Sequence, residues 1–193
     1  MSKQLSKTYR FLRAVGLNYP EDEYGDVTIL QLLKKVNKTF HDSFLISCVL
    51  NNWLLSPLLP RKVRPWVLRR IGCKVGKDTF IGSQLWIDSG HADLITIEDH
   101  VYVTGRTVLL CHKKDLHDYF QGDDYNKLPY RVGKIHLKRG CSTGTGTIIM
   151  PGVTIGEGSI IGAGSLVTKD IPDWTIAMGR PAKVVRQIPK RDI

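Results

Sequence analysis

Histidine is the residue type in this chain with the clearest capacity for acid–base chemistry. The sequence holds six histidines, and two of them, His112 and His117, lie in the polar stretch "CHKKDLHDYFQGDDYNKLPYRVGK". An imidazole with a pKa of about 6.5 can take a proton from a weak nucleophile at neutral pH, as general base catalysis requires. Sequence position alone does not separate that role from the role of a surface histidine beside a loop.

The four cysteines do not have the spacing of a metal or redox motif. Cys48, Cys73, Cys111 and Cys141 form no CxxC pair, and the opening "MSKQLSKTYR" is basic but has no apolar core after it, so no signal peptide is predicted. We therefore expect reduced thiols in a cytoplasmic protein, with Cys111 and Cys141 as packing residues.

Positive charge is concentrated in two places. The formal net charge is +10, and basic residues cluster in "RKVRPWVLRRIGCKVGK" and again near the end of the sequence. Because no zinc spacing, aromatic RNA-binding signature or recognition helix accompanies these residues, we expect no nucleic-acid partner. A phosphorylated cofactor or an anionic lipid surface would explain such patches equally well.

The elements that position these groups are indicated by a repeat of six residues. Apolar or slim residues recur at every sixth position, namely Leu137, Thr143, Ile149, Ile155, Ile161 and Val167. Neither a helix of 3.6 residues per turn nor an alternating strand fits this spacing. Short extended segments joined by tight corners do fit, with three segments in a coil of about eighteen residues and a shared core between stacked coils. The pattern predicts a parallel β-helix rather than an ordinary β domain with many glycine turns.

The same repeat occurs upstream with two interruptions. Ten residues separate Ile87 from Ile97, which requires an insertion of four around "SGHADL". A larger interruption between Leu109 and Leu137 contains the loop 112–134, which lacks the repeat. Because this connection is longer than usual, we expect a protruding functional loop.

Residues 1–70 are predicted to be helical. The run "VTILQLLKKVNKTFHDSFLISCVLNNWLLSPLLP" has apolar residues at helical spacing and ends at Pro57 and Pro60. Its apolar part, 44–59, is too short to span a membrane, so we expect a packed or subunit-facing helix, with peripheral membrane attachment as the alternative. The predicted regions are therefore helical 1–70, β-helix 71–178 and a basic C-terminal tail 179–193.

One long stretch of the chain resembles a known family. The run "IIMPGVTIGEGSIIGAGSLVTKDIP" followed by "AMGRPAKVVRQI" resembles the hexapeptide-repeat acyltransferases, and among them the maltose, galactoside and polysaccharide O-acetyltransferases. The resemblance extends from about Ile71 to Ile188. It implies a left-handed β-helix, a homotrimer, acetyl-CoA in the cleft between neighbouring coils, a saccharide acceptor and no metal.

The resemblance also implies a catalytic pair. The family's base falls on His112, in "VTGRTVLLCHKKD", where it would take the proton of a sugar hydroxyl that attacks the thioester. His117 remains the competitor for this role. Asp88, in "LWIDSG", would orient the imidazole or bind an acceptor hydroxyl, although an aspartate that caps its own turn is equally consistent. His91 is expected to be an acceptor-site or surface residue.

The family's cofactor positions fall on small residues in the coils and on cations after them. They are Ser142, Gly144, Thr145, Ala163, Thr168, Lys169, Arg180, Lys183 and Arg186. The small residues would let backbone amides approach the pantetheine arm, and the cations would face the phosphates. Gly144 or a neighbour is also expected to offer an N–H group to the oxyanion. Ser142 replaces the Trp of the family's "VWIG" element, which favours the polysaccharide-modifying branch.

Two other functions remain open. A sugar-nucleotide N-acyltransferase would need the same base, and the sequence does not separate N-transfer from O-transfer. A noncatalytic β-helix scaffold of the carbonic-anhydrase-like type is the other alternative, although that type needs histidines arranged for zinc. A cytoplasmic protein, with peripheral contact at the inner face of a membrane as an option, is the expected location.

Overall fold

The computed structural model describes residues 5–17, 19, 21–51 and 61–191. It divides the chain into two compact units, Met1–Phe44 and Leu45–Ile193. The boundary predicted at residue 70 is therefore replaced by one between Phe44 and Leu45. The reason is that the helix before the first strand packs its apolar side chains, such as Leu68 and Ile71, into the core of the strands.

The first unit consists of three helices, α1 (Lys7–Ala14), α2 (Glu21–Tyr24) and α3 (Ile29–Phe44). Ser6 caps α1, because its hydroxyl oxygen accepts a hydrogen bond of 3.0 Å from the Tyr9 N–H group. The Tyr9 hydroxyl in turn donates to the Tyr19 carbonyl at 2.8 Å. The prediction of helices in this part of the chain is confirmed.

The second unit begins with a π-helical segment, Leu45–Leu50, and continues with α4 (Val63–Ile71). The end of the run predicted as a helix up to Pro57 and Pro60, residues 52–60, lies outside the described residues. No helix in the described part of the chain has both the length and the hydropathy needed to cross a bilayer.

The strands are short. In the described part of the chain they are β1 (Lys74–Val75), β2 (Phe80–Ile81), β3 (Trp86–Ile87), β4 (Ile95–Ile97), β5 (Tyr102–Val103), β6 (Val108–Leu109), β7 (His112–Lys114), β8 (Tyr130–Val132), β9 (Ile135–Leu137), β10 (Ser142–Thr143), β11 (Ile148–Ile149), β12 (Thr154–Ile155), β13 (Ile160–Ile161), β14 (Leu166–Val167), β15 (Thr175–Gly179) and β16 (Ala182–Gln187).

All of these strands except β7 and β8 form three sheets that the chain visits in turn. Sheet A has the order β1-β4-β9-β12, sheet B the order β16-β15-β13-β10-β5-β2, and sheet C the order β14-β11-β6-β3. Neighbouring strands are parallel, except for the antiparallel pair β15–β16. Each circuit through A, B and C is one coil, so the parallel β-helix predicted from the repeat is confirmed.

The repeat positions form the core. Ile149, Ile155 and Ile161 are at most 1% exposed. The slim residues four places after each repeat position are also buried, and their hydroxyls are satisfied by corner carbonyls. Thr147 donates to the Gly144 carbonyl at 2.7 Å, and Ser165 donates to the Gly162 carbonyl at 2.7 Å. A buried hydroxyl is tolerated at these positions because each one finds an acceptor, three residues earlier for Thr147 and Ser165 and at the Pro172 carbonyl, 2.6 Å away, for Ser159.

Corner glycines serve two different needs. Gly144 lies so close to the next coil that a Cβ atom there would be 2.3 Å from the Ala163 nitrogen. Gly146 instead adopts a φ of +73°, a left-handed conformation that favours glycine. One glycine therefore permits close stacking of coils, and the other permits the turn.

Three segments leave the regular coil. The insertion predicted around "SGHADL" forms a 3-10 segment, Ser89–Leu94. The loop 112–134 begins and ends as an antiparallel ribbon, β7 paired with β8. The predicted basic tail 179–193 is corrected in part, because it contains β16, which folds back along β15 and extends sheet B.

Candidate active site

Asp88, His91 and His112 meet at one corner of the β-helix. This corner, where the chain passes from sheet C to sheet A, is called the C–A corner. Asp88 follows β3 directly, and His112 comes three residues after β6 in the neighbouring coil. The stacking of the two coils, with the Asp88 N–H donating to the Leu109 carbonyl at 3.3 Å, brings together residues 24 positions apart.

The Asp88 carboxylate bonds to both imidazoles. Its Oδ2 atom is hydrogen-bonded to His112 Nδ1, and its Oδ1 atom lies 3.2 Å from His91 Nδ1. The Cys111 N–H group also donates to Oδ2 at 3.3 Å. The Nε2 atom of His112 has no hydrogen-bond partner among the residues that the structure describes. A carboxylate on Nδ1 favours the tautomer that leaves Nε2 free to accept a proton.

Asp88 is buried yet held in its ionised form. Burial raises the pKa of this carboxyl group, but the hydrogen bonds and charges of His112 and His91 outweigh burial, so its pKa is lowered from the usual value. The carboxylate therefore remains negative at neutral pH and can stabilise a positive charge on the imidazole beside it.

The loop 112–134 adds an aromatic side to this corner. The Tyr130 ring meets the His112 ring edge-on, with centroids 5.3 Å apart. Lys114 lies with its Nζ atom 4.2 Å from the centre of the Tyr130 ring and donates to the Leu128 carbonyl at 2.7 Å. The ribbon thus positions Tyr130 beside the base. His117, the competing candidate, lies on the exposed part of the loop, and its backbone N–H group donates to the Asp115 carboxylate.

The cysteine next to His112 is not an activated nucleophile. Burial, followed by the nearby charges of Asp88 and Asp93, raises the pKa of the Cys111 thiol to about 12. Burial likewise raises the pKa of Cys141 to about 12. A thiol with such a pKa is protonated at neutral pH, so both side chains act as packing residues.

Four of the expected cofactor residues lie together at a different corner, where the chain passes from sheet B to sheet C. At this B–C corner the residues from two stacked coils are Ser142, Gly144, Thr145 and Ala163. Thr145 and Ala163 are exposed, and their N–H groups make no hydrogen bond to the described part of the chain. These amides have no partner in that part of the chain, and their role in binding the cofactor stays a prediction.

The expectation that Gly144 donates to an oxyanion is wrong for Gly144 itself. Its N–H group already donates to the Ile161 carbonyl of the next coil at 2.7 Å. The residue is needed for close stacking of the two coils, and the neighbouring Thr145 and Ala163 N–H groups, which make no hydrogen bond to the described part of the chain, remain for the predicted role.

The expected phosphate-binding cations lie on or beside β16. Arg186 is paired with Ile176, which continues a cross-strand row through Ile160 to Ser142 on sheet B. Lys183 is paired with Met178, and Arg180 lies in the turn between β15 and β16. With strands about 4.8 Å apart, Arg186 is roughly 14 Å from Ser142 along this row.

Thr168 and Lys169 do not join the B–C corner group. They follow β14 and lie at the C–A corner, in the coil stacked on the one that contains β11. The expected site residues are therefore divided on a single chain, with the acid–base pair at one end of sheet C and most of the cofactor group at the other.

Sequence reasoning did not predict that His91 and Tyr130 contact the Asp88–His112 pair. His91, expected to be an acceptor-site or surface residue, bonds Asp88 and places its ring centre 4.9 Å from that of His112. The signal for it was the four-residue insertion directly after Asp88. Tyr130 carried no comparable signal, because only the pairing of β7 with β8 returns it to His112.

Comparison with known proteins supports the interpretation of the fold. Residues 134–169 match the family model described as bacterial transferase hexapeptide (six repeats). A maltose O-acetyltransferase of Clostridium difficile 630 superposes with a TM-score of 0.60 at 23% identity, over 80% of this chain and 88% of that one. A hexapeptide-repeat-containing acetyltransferase of Vibrio cholerae, complexed with acetyl coenzyme A, gives a TM-score of 0.62 at 18% identity, over 91% and 96% of the two chains.

Curated relatives are similar over shorter stretches. A putative acetyltransferase of Staphylococcus aureus (strain Mu50) is 39% identical over 115 residues, 60% of this chain and 55% of the relative. A galactoside O-acetyltransferase of Lactococcus lactis is 47% identical over 72 residues, 37% of this chain and 32% of the relative. The chain thus spans about half or less of the length of these relatives. Its fold is the left-handed β-helix, and residues 134–169 carry the six-residue repeat of the bacterial hexapeptide transferase model.

Proposed function

We propose that this protein is an acetyl-CoA-dependent O-acetyltransferase that acts on a saccharide hydroxyl, in a cell-surface polysaccharide or its precursor. The observation that carries the proposal is the Asp88–His112 pair, in which a buried carboxylate holds Nδ1 and leaves Nε2 without a partner among the described residues. Similarity to acetyltransferases, two of them named for sugar acceptors, supports the reaction class.

The chemistry needs one base and no covalent enzyme intermediate. His112 Nε2 takes the proton of the hydroxyl as its oxygen attacks the thioester carbon, and the negative Asp88 stabilises the resulting imidazolium. The tetrahedral intermediate then collapses, the C–S bond breaks, and the imidazolium returns the proton to the CoA thiolate. The thioester is already activated, so holding the two substrates together supplies much of the rate.

The cofactor would extend from the B–C corner to β16. The Thr145 and Ala163 N–H groups would bind the pantetheine arm, and Lys183 and Arg186 would contact the phosphates at the nucleotide end. The distance of roughly 14 Å between Ser142 and Arg186 suits a long, extended ligand. Thr168, Lys169 and Arg180 are proposed to make further contacts with it.

The division of the site between two corners supports assembly as a homotrimer. On one chain the base and the cofactor group lie at opposite ends of sheet C, so a neighbouring subunit is needed to bring one group to the other. Sheet C also has an apolar outer row, Trp86, Val108, Ile148 and Leu166, and Trp86 is 49% exposed. The outer row of sheet A is polar, with Lys74, Thr96, His136 and Thr154.

The proposed function is tested by measuring release of free CoA from acetyl-CoA across a panel of lipid-linked and soluble saccharides. Release with a hydroxyl acceptor and formation of its acetyl ester would support the proposal. Release only with amino-sugar nucleotides would identify an N-acyltransferase instead. No CoA release and no CoA binding would favour the noncatalytic scaffold.

Replacing both Lys183 and Arg186 with alanine should raise the KM for acetyl-CoA about tenfold or more and leave kcat nearly unchanged. Each charge-assisted hydrogen bond to a phosphate contributes roughly 1.5 kcal/mol, and these cations lie away from the reacting atoms. Lys190→Ala, which removes an exposed cation after β16, is the matched control. Equal KM values for wild type and the double variant would contradict this placement of the phosphates.

We also propose a cytoplasmic location with peripheral contact to a membrane. Helix α3 exposes an apolar stripe at helical spacing, formed by Ile29, Leu33, Val36, Phe40 and Phe44, each at least 44% exposed. The expected result is flotation of the protein with anionic liposomes and loss of flotation in Leu33→Asp/Phe40→Asp. A protein that stays in the aqueous fraction at all lipid concentrations would rule this contact out.

A further inference from the structure

The side chains of Asp88, His91 and His112 form a set that is suited to a transition-metal ion. Among the described residues, their ligand atoms all lie within 4.8 Å of one another. Two imidazole nitrogens and one carboxylate oxygen are ligands that Zn²⁺ commonly takes, whereas Mg²⁺ prefers oxygen ligands and retains water. The resemblance to the hexapeptide-repeat acyltransferases had led us to expect no metal.

The cluster needs little rearrangement to close around an ion. In a tetrahedral zinc site the metal lies about 2.0–2.2 Å from nitrogen and oxygen ligands, which places these ligands roughly 3.3 Å apart. His91 Nδ1 is already 3.2 Å from the carboxylate, and His112 Nδ1 is bonded to it. Both imidazoles therefore face the carboxylate through the nitrogen that would bind the ion.

The surroundings provide access and support. The side chains of His91 and His112 are each 35% exposed, so an ion can reach them from solvent and keep one position for water. The Asp88 side chain is only 6% exposed, and its carboxylate is oriented by the Cys111 N–H group, which donates to Oδ2 at 3.3 Å. Such outer hydrogen bonds hold a ligand in place for a metal.

We propose that Asp88, His91 and His112 bind one Zn²⁺ ion per chain, and that this ion and the base function exclude each other. When Nδ1 of a neutral imidazole binds a metal, the proton of the ring is carried by Nε2. His112 Nε2 then cannot accept a proton from a hydroxyl. Zinc at this cluster is thus an inhibitor of acetyl transfer; the inhibition rests on the proposed function, whereas the binding does not.

Binding is tested on the full-length protein after treatment with a chelator, by titration calorimetry with Zn²⁺ and, as a negative control, Mg²⁺. We expect one Zn²⁺ per chain and at least tenfold weaker binding in His91→Gln, since even changes outside the ligand set cost about 10–100-fold in affinity. The matched control is His136→Gln, because His136 Nε2 bonds one carboxylate, that of Glu98, at 2.7 Å.

His112→Gln provides a second ligand variant, and thermal unfolding of each variant verifies that it is folded. Zinc affinity in both folded ligand variants equal to that of wild type, or no zinc binding by wild type, would overturn the proposal. Zinc binding without any acetyl transfer on any acceptor would instead count against the proposed function and leave the metal site standing. In an active enzyme we expect Zn²⁺ to inhibit acetyl transfer and a chelator to restore turnover. Inhibition by Zn²⁺ that is unchanged in His91→Gln would refute the proposal that zinc binding and the base function of His112 exclude each other.

Discussion

Replacing His112 with alanine is expected to lower kcat for acetyl transfer by at least 100-fold while the fold persists. General base catalysis contributes about 10²–10⁴-fold, and His112 bonds the buried Asp88 carboxylate through Nδ1 while its Nε2 atom has no partner among the described residues. His112 is about one third exposed and does not belong to the buried apolar core, so its loss leaves no large cavity. The measurement is steady-state CoA release, with acetyl-CoA binding followed separately.

His117→Ala is the control for this experiment. His117 lies in the same loop, is exposed, and contributes only its backbone N–H group to Asp115, so we expect turnover within about twofold of wild type. A large loss of turnover in His117→Ala together with full activity in His112→Ala would assign the base to His117 and contradict the catalytic role of the Asp88–His112 pair.

The same variant can test whether the site is shared between subunits. If His112 of one subunit meets the cofactor group of another, mixing His112→Ala with the Lys183→Ala/Arg186→Ala variant forms some interfaces in which both groups are intact. We expect turnover at low acetyl-CoA to exceed the sum of the two unmixed samples. Activity equal to that sum after verified subunit exchange would place the complete site within one chain.

Replacing Asp88 with asparagine is expected to lower kcat by about 10²–10⁴-fold. An amide can still bond Nδ1, but it cannot stabilise the imidazolium with a full negative charge, and it permits the wrong tautomer of His112. Neutralising the carboxylate of the analogous pair in a serine protease costs about 10⁴-fold. Because the Asp88 side chain contacts His112 rather than the transferred atoms, KM for acetyl-CoA should change little.

Glu98→Gln is the matched control, since Glu98 also bonds a histidine, His136, but does so on sheet A, away from the C–A corner. Its turnover should equal that of wild type. Comparable losses in Glu98→Gln and Asp88→Asn would mean that both act through general stability rather than through His112.

The pH dependence of the free energy of unfolding should also differ between wild type and Asp88→Asn. His112 and His91 hold the pKa of Asp88 below its usual value, so the stability that this group contributes is present above the unfolded pKa of about 3.9 and is lost as pH falls through the lower folded pKa. In denaturant titrations below pH 4, wild type should therefore lose stability more steeply than Asp88→Asn. Parallel curves would show that Asp88 titrates equally in both states.

The residues 137–167 show how far a local pattern extends. A six-residue repeat of branched side chains predicts short strands and corners, and every position of the repeat is buried as expected. The buried hydroxyls of Thr147 and Ser165 also follow from local geometry, because their acceptors lie three residues earlier. These features could be predicted since each depends on neighbours within a few residues along the chain.

The residues of the candidate site were predictable only where they lie in segments that follow the six-residue repeat. The sequence resemblance placed Asp88 and His112, and the stacking of β3 on β6 brings them together. His91 and Tyr130 come from segments that depart from the repeat, so their positions depend on how an insertion and a long loop return to the coil. The Gly144 N–H group was misassigned because its partner, Ile161, lies on the next coil.

The order of residues along the chain therefore determined the coil, its inward side chains and the places where it is interrupted. Only the tertiary structure decided that two histidines share the Asp88 carboxylate, that Tyr130 faces His112, and that the basic C-terminal segment forms a strand at the edge of sheet B. The physical reason is that a periodic pattern specifies each turn of the solenoid locally. Contacts made by the interruptions join residues that no period relates, so they are specified only when the coils stack.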